Sequence, residues 1–121
     1  VSVEDEILAC LSDDSAIAAL LGPGDKIMLG SRNRKLPTAA PFLLIELLRG
    51  APALEGLEGV IADVWDCGIT IAVEGSGASL ASCVTAAMES LGFEHRQCKT
   101  ISAGNPGLCM LEVKYSGERM R

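Results

Sequence analysis

The side chains best equipped for chemistry are five cysteines and a single histidine. Cys10, Cys67, Cys83, Cys98 and Cys109 follow one another at intervals of 57, 16, 15 and 11 residues. No C-x-x-C occurs, and the intervals fit no zinc-ligand spacing. The pattern reads as buried free thiols in a reducing cytoplasm. His95 stands three residues before Cys98. On a regular strand an odd separation sends two side chains to opposite faces, so this pair is not expected to share a metal. No nucleophile is placed beside His95 by spacing, and it reads as a surface histidine on an edge strand.

Two carboxylates, Asp63 and Asp66, flank Trp65. An acid/base pair needs desolvation to split its two pKa values. Here both read as solvent-facing positions at a strand end. Gly75-Ser76-Gly77 follows a strand pattern and precedes a helical one, as a dinucleotide fingerprint does. Leu80 occupies the place of the third glycine, so the stretch reads as a tight turn with Ser76 or Ser79 as N-cap. No G-x-x-x-x-G-K-[ST] phosphate loop is present. The densest polar feature is basic: Arg32, Arg34 and Lys35 are three of ten bases, set within four positions. Against them stand six acids and no base in the first 25 residues, and further acids at Glu55, Glu58, Asp63, Asp66 and Glu74. A basic arm and an acidic face on one chain suit head-to-tail self-association, which closes into a ring when the rotation between neighbours permits.

The elements that carry these groups follow from apolar periodicity. Ser2 with Asp5 forms a capping-box pattern ahead of Ile7, Leu8 and Leu11. Ser12-Asp13-Asp14 caps a second helical stretch carrying Ile17, Leu20 and Leu21, which Gly22-Pro23-Gly24 ends. Residues 3–11 and 14–21 are thus one broken helix or two short ones. Lys26 to Leu29 is a short strand, and residues 30–40 are a loop. In the strand 42–48, Phe42, Leu44 and Leu48 lie on one face and Leu43, Ile45 and Leu47 on the other. A strand apolar on both faces has to be covered on both. The chain's own helices suffice for one face, and the other calls for a neighbouring subunit. Residues 50–60 read as a glycine-rich acidic connection.

From Val64 the alternation is clean, with Trp65, Cys67, Ile69, Ile71 and Val73 on one face. A helix over 78–91 presents Leu80, Val84, Ala87, Met88 and Leu91 as one stripe, and Gly92 stops it. Residues 93–101 read as a polar edge strand and 108–115 as its hairpin partner across Gly104-Asn105-Pro106-Gly107. The tail 117–121 reads as frayed. The expected fold is α+β, in the order α-β-β-β-α-β-β: an antiparallel-rich sheet of about five strands with helices packed on one face.

Composition agrees with one domain over residues 1–121. Hydrophobic residues make up 49% of the chain, enough for a core, while aromatics at 3% make that core aliphatic. The net charge of −6 argues against a general nucleic-acid footprint, and no apolar run is long enough to span a bilayer. No signal peptide is expected at the N-terminus.

Taken together, the I-L-x-x-L-x-x-D-x-x-I-x-x-L-L run from Ile7 to Leu21, the K-I-M-L strand, Ala40-Pro41-Phe42-Leu43-Leu44-Ile45, the W-D-x-x-I-T-I-x-V strand leading into a helix, and the final hairpin make a pattern. It resembles the bacteriophage tail-terminator (tail-completion, head–tail joining) proteins over nearly the whole chain. The resemblance implies a structural protein without chemistry or cofactor. It implies a ring, usually a hexamer, that caps the completed tail tube, halts its polymerisation and presents the head-joining surface. The partners implied are further copies of the chain, the tail-tube protein and the head connector or neck protein. The place implied is the tail–head junction of the virion, assembled in the host cytoplasm. The resemblance brings no site residues with it. From the residues alone, Arg32, Arg34 and Lys35 are the expected interface arm, and Asp63, Asp66 and Glu74 the expected acidic partner surface. Another tail-tube or head-closure component, or a small ferredoxin-like ligand-binding domain, are the competing readings.

Overall fold

The computed structural model describes residues 2–22, 26–30, 40–56, 59–75, 77–101 and 108–120. Its elements are α1 (Val3–Asp13), α2 (Ser15–Leu21), β1 (Ile27–Leu29), β2 (Phe42–Gly56), β3 (Gly59–Glu74), α3 (Ala78–Ser90), β4 (Glu94–Ile101) and β5 (Leu108–Met120). This is the expected α+β order, with the N-terminal helical region resolved into two helices.

Local chemistry explains where the helices begin and end. Ser2 Oγ accepts from the Asp5 backbone N–H at 3.1 Å and donates to Asp5 Oδ2 at 2.8 Å, closing the α1 cap. Asp14 ends α1 and starts α2, its Oδ1 accepting from the N–H groups of Ala16 and Ile17 at 2.9 and 3.0 Å. Gly22 ends α2 at φ +79, and Gly92 follows α3 at φ +88, both in the region only glycine enters freely. The start of α3 differs from the expectation of a serine cap. Gly77 is the N-cap, with no side-chain hydrogen bond. A Cβ there would lie 2.7 Å from Leu111 Cδ1, so close approach to β5 sets the residue.

The five strands form one sheet in the order β1-β2-β3-β5-β4. β1 pairs with β2 in parallel, and the other three pairings are antiparallel. β3 and β4 therefore run the same way, joined through α3, with β5 inserted between them. The helices lie on one face. Ile7, Leu11, Ile17, Leu21, Leu80, Val84 and Met88 from the helices meet Leu43, Ile45, Cys67, Ile69, Ile71, Val113 and Tyr115 from the sheet. Leu20, expected inside with its neighbours, is 44% exposed.

Two stretches depart from expectation. Residues 50–60 are not a connection: β2 continues to Gly56 and β3 begins at Gly59, making one long hairpin. Pro52 is tolerated within it for two reasons. The register shifts between Arg49 and Pro52, and β1 reaches only as far as Ile45, so that among the described residues no strand pairs with the rest of β2 on that side. The tail is also ordered further than expected, since β5 pairs with β3 out to Met120 opposite Ala62. Arg119 anchors it. Its Nη2 donates to Glu6 Oε1 at 3.0 Å and to the Leu91 carbonyl, and its guanidinium lies 4.7 Å from the Phe93 ring centroid.

Candidate functional site

The alternation of β2 places Phe42, Leu44, Glu46 and Leu48 on the face that none of the described helices covers. β3 adds Asp66, Gly68, Thr70 and Ala72, and β5 adds Met110, Glu112, Lys114 and Ser116. This face has two ends. At one, Met28, Phe42 and Ala72 form a small buried cluster, with Ala40, Leu44 and Met110 packed on it. At the other, Leu48 is 69% exposed beside charged residues. The expectation of a strand covered on one side by its own helices is thus matched by geometry; on its outer side, among the described residues, Met28, Ala40, Ala72 and Met110 pack against the Phe42 end.

The charged end is built around a missing side chain. Glu46, Gly68 and Lys114 stand directly opposite one another on three adjacent strands. Two strand spacings, about 10 Å, separate acid from base, with only glycine between. A Cβ on Gly68 would have no atom within 4 Å. The result is an open hollow of about 640 Å³, walled by Glu46, Leu48, Asp66, Arg96, Glu112 and Lys114. Its surroundings are partly neutralised within the chain. Lys114 Nζ lies 3.5 Å from Glu112 Oε1, Arg96 Nη2 lies 3.0 Å from Glu94 Oε2, and Arg96 Nε donates to Ser116 Oγ at 3.0 Å.

On the helix side of β4 a second, shallower groove runs between α3 and the edge strand, past Thr85, Glu89, His95 and Cys98. The two residues expected on opposite faces lie on the same one. His95 pairs with Tyr115 and Cys98 with Val113, both inward positions of β5. The register shift between His95 and Gln97 inserts an extra residue and reverses the parity, sending Arg96 to the outer hollow. The sequence carries no marker for that bulge. His95 is exposed, and its ring lies 5.8 Å from the Tyr115 ring. The Tyr115 hydroxyl and Thr85 Oγ1 are 2.8 Å apart. Burial pushes the Tyr115 hydroxyl up to about 12, against the lowering effect of the Thr85 hydrogen bond. Burial likewise raises the Cys67 thiol to about 12, making it a packing residue with no nucleophilic character. Among the described residues, no three side chains of metal-binding type converge, and no helix is long and apolar enough to cross a membrane.

The expected interface residues divide three ways. Arg32, Arg34 and Lys35 lie outside the described residues. Asp66 and Glu74 are exposed. Asp63 is not solvent-facing as expected: it is 2% exposed. Its odd position places it on the helix side with Trp65, directly opposite Arg119 of the ordered β5 end. The hollow itself was missed, although Gly68 in an otherwise regular alternation was its one visible sign.

No protein-family model matches the chain, and no curated protein matches it in sequence. Its fold is shared with a solved chain from the "Virion of native gene transfer agent (GTA) particle". That likeness has a TM-score of 0.72 at 12% identity and covers 99% of this chain and 96% of the other. The two folds therefore correspond from end to end.

Proposed function

We propose that this chain is a structural component of a phage-type virion, and within that class a tail terminator. In this reading it forms a ring on the end of the completed tail tube, stops further tube subunits from adding, and offers the opposite surface to the head. The observation that carries the reading is the end-to-end likeness in fold to a chain of a gene transfer agent virion. The outer face of β2, β3 and β5 supports it, because the exposed Leu48 beside an open charged hollow suits contact with another protein rather than a cavity enclosing a small molecule. The ring contact joins the basic segment Arg32, Arg34 and Lys35 to the exposed acids Asp66 and Glu74 of a neighbour. Asp63 has no part in it.

Electron microscopy of the purified protein alone and with its tail-tube protein tests the reading. Single closed rings, seated on tube ends of uniform length, are expected. Long open stacks formed by the chain alone would identify a tube subunit and overturn the terminator role.

A further inference from the structure

We draw no further inference here: the strongest candidate, the open hollow over Gly68 on the outer sheet face, carries nothing, because its bases Arg96 and Lys114 are already paired with Glu94 and Glu112, its exposed acid Asp66 belongs to the ring contact already proposed, and nothing in the structure shows what covers Glu46 and Leu48 beside it.

Discussion

Arg119 and Glu6 meet at 3.0 Å although 113 positions separate them, tying the last strand to the first helix. The same guanidinium reaches the carbonyl of Leu91 just beyond α3 and lies over Phe93. One side chain thus closes the domain by linking β5, α1 and the α3 terminus. Its ion pair with Glu6 is partly solvated, so most of the value lies in the charged hydrogen bond to a backbone carbonyl and in the ring contact. Arg119→Ala should cost about 1–2 kcal/mol. Thermal melting should fall by about 4 °C for each kcal/mol lost. An unchanged midpoint would show that the tail contributes nothing to stability.

Gly117 faces the same ring from the strand side. A Cβ there would stand 2.8 Å from Phe93 Cδ1 and 3.1 Å from Cε1. Gly117→Ala should destabilise by about 1–3 kcal/mol through overpacking. Paired with Phe93→Leu, the two losses should be less than additive, because the smaller side chain vacates the space. Denaturant unfolding of the four proteins in that cycle measures the coupling.

Alkaline pH should unfold the protein earlier than its surface would suggest. Cys67 ionises near 9 in the unfolded chain and Tyr115 near 10, and burial raises both to about 12 in the fold. Between these values the folded state holds protons that the unfolded state has released. Stability is therefore whole below pH 9 and falls as pH climbs toward 12, by up to about 1.4 kcal/mol per pH unit per group. Tyr115→Phe should flatten the slope above pH 10, at the cost of the Thr85 hydrogen bond. A denaturation series across pH 8–11 reads both effects.

Thiol reactivity should follow burial. Of the thiols expected to be buried, Cys67 is; Cys10, Cys83 and Cys109 are half-buried, and Cys98 is exposed because it lies on the edge strand β4. A chromogenic disulfide reagent should label Cys98 promptly in the native protein and reach Cys67 only when the fold opens. Cys98→Ser should remove the fast phase, and persistence of that phase would locate it at Cys10, Cys83 or Cys109.

Replacing Arg32, Arg34 and Lys35 together by serine should abolish ring formation or tail joining while the melting temperature moves by no more than about 0.5 kcal/mol in equivalent stability. Light scattering across a salt series, with the native protein weakening as salt rises, reports the electrostatic share. Rings formed undiminished by the triple variant would remove this segment from the contact.

Much of the architecture was legible because single elements declared themselves. Trp65 to Val73 alternates without interruption, Leu80 to Leu91 repeats at helical spacing, and Ser2, Asp14, Gly22 and Gly92 mark helix ends by their own chemistry. What stayed hidden depends on pairing rather than composition. Residues 50–56 are short of strand-forming side chains, yet they extend β2 because β3 lies alongside to accept their hydrogen bonds. The tail looked loose because Arg119 finds its partners on elements far back in the chain. The shared face of His95 and Cys98 follows from one irregular step in β4, and Asp63 is buried because β5 extends far enough to bring Arg119 opposite it. The outer hollow needed three strands in register before the gap between Glu46 and Lys114 existed at all.

The irregular step at Arg96 bears on growth as well as on orientation. A sheet border that is even and bare invites the next molecule to zip on, strand by strand, into an endless ribbon. Here the β4 border is kinked and lined with Glu94, Arg96 and Lys99. Lateral fusion is thereby discouraged at that margin.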